Sequence, residues 1–347
     1  MGGGVEIPFG LATSVGPLPF GSVEPAVAFA LSAHPRFPTA PVLGGAENSL
    51  LARAVDGVSG IEVLPPGLLR VDPADLPSPG GAISAGASLD GAPHAALRSF
   101  LDALAAADGG RSHSGPVRVG VLGPVTLTLA LQAAGVPLVR ASALARTLVE
   151  QRSAAVLAAT RRAAPDAVAV IVLSEPGLIG AMHPTFPLSP TEVRTLLDPV
   201  VDVLDRSPSA GELIIGIHVP GRTDWETILA SGVSLVSAPA DAGLVGWAEQ
   251  LGSMLERGGW IAWGCVPVDQ PLGTSEELLW RRLAALWGEM GAVGVDPMLL
   301  RLRSMVSPAD GLGHFGVSQA GLVIDLVSSI SSRVRRQTIA ARLSLGA

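Results

Sequence analysis

This chain predicts an α/β fold, a single (β/α)8 or TIM barrel with an extra N-terminal segment, spanning residues 1–347 as one domain, and three observations carry that expectation. Short aliphatic runs alternate with longer stretches in which apolar residues recur every three or four positions, the order that builds a parallel sheet under outer helices. Eight such runs fall near residues 10–15, 41–44, 117–123, 168–174, 213–218, 233–237, 260–266 and 303–307. Four runs end abruptly in Gly123-Pro124-Val125-Thr126, Ser174-Glu175-Pro176, His218-Val219-Pro220 and Pro308-Ala309-Asp310-Gly311. Buried parallel strands read as nearly unbroken aliphatic runs, and barrel enzymes place their chemistry at the carboxyl ends of those strands.

The elements between the strands follow the same logic. Helical spacing is expected over 95–106, 142–164, 191–204, 242–256, 275–290 and 319–336. Ser189-Pro190-Thr191-Glu192 places a cap, a first-turn proline and an acid at one helix start, and Thr274-Ser275-Glu276-Glu277 does the same at another. Residues 65–93, rich in Gly, Pro, Ser and Ala, predict a long irregular excursion, and 109–115 a second flexible connection.

Composition removes several chemistries. All 23 residues of the Lys plus Arg count are arginine and there is no tyrosine, so Schiff-base catalysis and phenolic acid–base chemistry are excluded. The single cysteine, Cys265, rules out an internal disulfide and any zinc site that takes two thiolates from one chain. A net charge of −7 argues against a nucleic-acid partner, whose phosphates need a clustered basic face. Without a long apolar run or a basic-then-apolar start, no membrane association is expected, and the cytoplasm is the expected compartment.

Taken in order, Ala12-Thr13-Ser14-Val15-Gly16-Pro17, Leu122-Gly123-Pro124-Val125-Thr126-Leu127, Glu175-Pro176-Gly177-Leu178, the histidine ending the fifth strand and Pro308-Ala309-Asp310-Gly311-Leu312 resemble the catalytic barrel of the cobalamin-independent methionine synthase family, a relative of uroporphyrinogen decarboxylase. The resemblance spans nearly the whole chain. It implies methyl transfer, from 5-methyltetrahydrofolate or a corrinoid, to a small thiol such as homocysteine. The family uses zinc held by one histidine, two cysteines and a glutamate, because coordination deprotonates the thiol near neutral pH. Here His218 matches the histidine, while the other ligand positions fall on Pro220, near Val236 and on Asp310. The family's Asp-Glu-Pro reads Ser174-Glu175-Pro176, and its early Gly-Glu pair reads Gly44-Gly45 with Glu47 close by. The expectation is therefore a methyltransferase homologue with a degenerate or rebuilt zinc site; the alternative is a non-catalytic barrel that binds a ligand or partner.

Glu175, His218 and Asp310 are the candidate catalytic groups, each at the end of a strand or just beyond it. Ser14, Glu47, Thr126, Ser174 and Trp263 are candidate substrate contacts, and His218 with Asp310 the candidate metal ligands. His183 and His314 are expected on loops reaching toward the same mouth, whereas His34, His94 and His113 are expected at surface or cap positions. Cys265 reads as a core thiol.

Overall fold

Where β-branched residues crowd the aliphatic runs, the chain forms strands, and in the computed structural model six of them make one parallel sheet. These are β3 (Val117–Leu122), β4 (Ala169–Ser174), β5 (Leu213–His218), β6 (Leu235–Pro239), β7 (Trp260–Val266) and β8 (Ser304–Pro308), hydrogen-bonded in that order. A separate antiparallel hairpin, β1 (Ile61–Leu64) and β2 (Leu68–Val71), precedes them. The structure describes residues 6–77, 84–106, 113–207, 212–270, 273 and 275–345. Part of the predicted excursion at 65–93, most of the connection at 109–115, and Thr274 lie outside those residues; the hairpin was not expected from the sequence.

The helices before the sheet are α1 (Val23–Ala33), α2 (Leu50–Val55) and α3 (Ala95–Ala106). Those after each strand are α4 (Pro124–Ala133), α5 (Leu138–Ala163), α6 (Pro190–Asp205), α7 (Trp225–Leu229), α8 (Ala248–Glu256), α9 (Glu276–Ala292), α10 (Pro297–Leu302) and α11 (Val317–Leu345). The expected caps form: Ser189 Oγ accepts from Glu192 N while Glu192 reaches back to Ser189 N, and Ser275 Oγ accepts from Leu278 N. Among the described residues no helix is long and apolar enough to cross a membrane.

Strand register sorts the side chains. Because successive residues point to opposite faces, Val170, Val172, Ile214, Leu235, Trp260, Ala262 and Met305 gather on one face with Leu11 and Phe37. Val117, Val119, Ile171, Leu173, Ile215, Ile217, Val236, Ile261, Trp263 and Val306 belong to the larger core that includes the helices. Arg118, His218 and Ser237 share parity with the first set, whereas Trp263 and Cys265 share parity with the second.

The two N-terminal runs expected as strands form single parallel bridges instead. Ala12 bridges to Val306 at one edge of the sheet and Thr39 to Arg118 at the other, with a further bridge from Pro17 to Val42. Prolines explain the brevity, since Pro17, Pro19, Pro38 and Pro41 lack the N–H that a continuing ladder needs. The two segments meet through a hydroxyl: Thr39 Oγ1 lies 2.9 Å from Thr13 Oγ1 and accepts from Ser14 N at 3.1 Å.

Ser189→Ala removes the acceptor at the start of α6 and is expected to cost about 1 kcal/mol. Urea denaturation measures it; an unchanged midpoint would show that the cap contributes nothing.

Candidate functional site

The mouth is assembled from the carboxyl ends of β3 to β8 and the loops that follow. Glu175, just past β4, is fully buried, and its carboxylate turns toward the amino end of α4. Oε1 accepts from Val125 N at 2.9 Å, and Oε2 from Thr126 N at 2.7 Å and Thr126 Oγ1 at 2.5 Å. A helix start leaves N–H groups unpaired and carries partial positive charge, so a buried carboxylate is well matched to it. Burial pushes the Glu175 carboxyl up to about 7, against the three hydrogen bonds from Thr126 and Val125 that favour its ionised form.

Gly123 makes this approach possible. A Cβ there would lie 2.2 Å from the Glu175 carboxyl carbon. Gly177 N in turn donates to Thr126 Oγ1 at 3.0 Å, and Glu175 N donates to the His218 carbonyl at 2.8 Å. The Gly123-Pro124-Val125-Thr126 and Glu175-Pro176-Gly177 motifs thus interlock as one unit that seats α4 on the sheet. Thr126, read as a substrate contact, directs its hydroxyl to Glu175.

His218 is 3% exposed at the end of β5. Its Nδ1 lies 3.0 Å from Ser237 Oγ and 3.1 Å from the Ser237 carbonyl, and its Nε2 lies 3.4 Å from Asp310 Oδ1. Arg118 Nη2 donates to the same Ser237 hydroxyl at 3.1 Å. Burial, reinforced by the Arg118 charge, holds the His218 imidazolium below its ordinary pKa against the opposing pull of Asp310 and Ser237. Burial alone would raise the Asp310 carboxyl, but the His218 ring, the Gly311 N–H and His314 together hold it below the usual carboxylate range. A guanidinium only donates and an ionised carboxylate only accepts, so the two ends of the chain are fixed. Arg118 donates to the Ser237 hydroxyl and His218 Nε2–H to Asp310, while Nδ1 faces both the Ser237 hydroxyl and the Ser237 carbonyl.

Asp310 is the accessible end of that chain. Its side chain is 47% exposed and lines a cavity of about 990 Å³ between the ends of β5 to β8 and α9. Arg222, Asp241, Asp269 and His314 are among the polar groups around it. Gly16 and Gly311 hold the Asp310 loop in place: Gly16 has φ +64°, and a Cβ there would fall 2.6 Å from Gly311 Cα.

The remaining candidates are placed as follows. Ser174 pairs in register with His218 and lines a small interior cavity. Ser14 is tied through its backbone to Thr39, and Glu47 is exposed beside Asn48, whose amide donates to it at 3.1 Å. Trp263 is wholly buried, its indole N–H donating to Ser304 Oγ at 2.7 Å, because position 263 has the parity of the helix-side core. His314 lines the large cavity and bonds the Val268 carbonyl at 2.7 Å, while His183 pairs with Thr185 on an exposed loop. Of the histidines expected at surface or cap positions, His34 is the C-cap residue of α1 and His94 ends the short turn before α3. Neither is at the surface: both are buried, with pKa lowered to about 4 in His34 by burial and to about 3 in His94 by burial and the nearby Arg152 and Arg53 charges. Arg118 and Ser237 were not singled out from the sequence; Ser237 is the register partner of His218 on β6, a pairing with no local sequence signal.

The donor set does not fit a zinc–thiolate centre. Cys265 is buried with the helix-side core and burial pushes its thiol well above the ordinary range, while Pro220 and Val236 offer no ligand atom. Among the described residues no three His, Cys, Asp or Glu side chains converge as a metal site. Neither a protein-family model nor a curated protein matches the chain.

Two measurements follow. Glu175→Ala strips acceptors from two buried backbone N–H groups and is expected to destabilise by about 2–4 kcal/mol, read by chemical denaturation; a loss below about 0.5 kcal/mol would mean that α4 does not need the carboxylate. His34, His94 and His218 have depressed folded-state pKa values, so below pH about 6.5 the unfolded chain takes up protons that the native state refuses. Glu175, raised to about 7, works in the opposite sense between pH about 7 and about 4.5. Three histidines outweigh one carboxyl, and stability is expected to fall from pH 6.5 toward pH 4.5, with a slope of at most about 1.4 kcal/mol per pH unit per uncompensated group. Denaturation midpoints that rise over that window would contradict the assignment.

Proposed function

We propose that the chain is a closed eight-stranded barrel of the methionine synthase type, working in the cytoplasm, whose mouth binds a small amine-bearing metabolite on Asp310 without zinc–thiolate chemistry. The observation that carries this reading is the hydrogen-bond chain ending at the half-exposed Asp310 carboxylate beside the large cavity. The parallel bridges from Ala12 and Thr39 to opposite sheet edges support closure. Because both imidazole nitrogens of His218 are engaged within the protein, Asp310 is the group left to meet a ligand. An ionised carboxylate held at the acceptor end of such a chain favours an ammonium group, and Arg222 at the same cavity suits the carboxylate of a zwitterion.

In mechanistic terms His218 is a positioning residue: it fixes the Asp310 rotamer and donates a proton-bearing Nε2 to it. Ser237 holds Nδ1 through its hydroxyl and carbonyl, and Arg118 donates to that hydroxyl. Thiol activation by zinc has no counterpart in these residues. A second reading, methyl transfer to a thiol, is favoured by one specific observation. His218 and position 310, both ligand positions by the family resemblance, lie within hydrogen-bond distance of each other.

Calorimetric titration with homocysteine, methionine and their deaminated acids tests both. On the first reading the amine-bearing compounds bind, the deaminated acids do not, and Asp310→Asn weakens binding by about 10- to 100-fold. Binding unaffected by Asp310→Asn would overturn that reading. Stoichiometric zinc that disappears in His218→Ala, together with zinc-dependent methyl transfer to homocysteine, would replace it with the second.

A further inference from the structure

Beneath the mouth lies a buried cation without a counter-ion among the described residues. Arg118 is 2% exposed on the inward face of β3, and its Nη1 has no hydrogen-bond partner among the described residues. Its Nη2 meets only the neutral Ser237 hydroxyl. Among the described residues no carboxylate forms an ion pair with it: Glu175 is turned to α4, and Asp310 stands at the far end of the chain, separated by Ser237 and His218. A buried charge that is neither paired nor fully hydrogen-bonded is costly, which is why buried cations are almost always matched.

A space is available beside it. Arg118 lines an interior cavity of about 30 Å³ together with Thr39, Ser174 and His218, the rest of the wall being Gly16, Gly120 and apolar side chains. That volume exceeds what one water needs, about 10–15 Å³, and is far too small for a carboxylate-bearing metabolite. Water would satisfy Nη1 but leave the charge unmatched. A single small anion does both.

We propose that this cavity is a halide site, occupied by chloride held on Arg118 Nη1 within the barrel. The site lies beneath the mouth and shares His218 with it, but its argument rests on Arg118 and not on what binds at Asp310. A monatomic anion here neutralises the guanidinium and also lessens the positive field on His218, which joins Arg118 through Ser237.

Crystals grown in bromide, with diffraction recorded at the bromine edge, test the intact protein directly. The expected result is an anomalous peak beside Arg118 within the interior cavity, and its absence at high bromide would overturn the proposal in favour of water alone. In solution, chloride or bromide at constant ionic strength, balanced with gluconate, is expected to raise the melting temperature saturably, by about 3–5 °C at a hundred times the dissociation constant. Arg118→Met is expected to abolish the halide dependence. Equal melting temperatures of the wild-type protein in chloride and gluconate would refute the site, whether or not the variant folds.

Discussion

Only every second residue of a strand can face the interior of this sheet, and nearly everything about the mouth follows from which ones do. The parallel register of β3 to β8 carries one row of positions inward, Arg118, His218 and Ser237 among them. The alternate row, including Trp263 and Cys265, goes to the helices. A slip of one residue in β7 would bring the thiol inward and bury Ala262 among helices, so the exclusion of Cys265 from the mouth is a property of register.

A second constraint is the seat of α4. Its first N–H groups have no partner within the helix, and the protein supplies a carboxylate from the neighbouring strand end rather than a local cap. That choice requires the backbone at Gly123 to lie against Glu175 with no side chain between them. It explains why two motifs 50 residues apart act together and why an acidic residue at a strand end is occupied with architecture. The Asp310 carboxylate, on the loop after β8, faces the cavity instead, and Gly16 and Gly311 hold that loop by close backbone contact.

The chain from Arg118 through Ser237 and His218 to Asp310 separates a buried positive end from a half-exposed negative end. Its polarity comes from the chemistry of the terminal groups, since a guanidinium cannot accept and an ionised carboxylate cannot donate. This order engages both imidazole nitrogens and presents the carboxylate to the cavity.

Much of this architecture was legible along the chain. Six aliphatic runs became the sheet strands, and the helices at 95–106, 191–204 and 275–290 stand within two residues of their expected limits, because burial on both faces and amphipathic spacing are local patterns. The positions of His218 and Asp310 at strand ends could be read in the same way. Tertiary structure alone decided that Glu175 anchors a helix, that Trp263 stays in the core, that the proline-rich opening segments make bridges rather than strands, and that an unremarked arginine lies beneath the histidine. Each of these depends on what stands opposite a residue across the sheet, and strand pairing between segments tens of residues apart leaves no local trace in the amino-acid order.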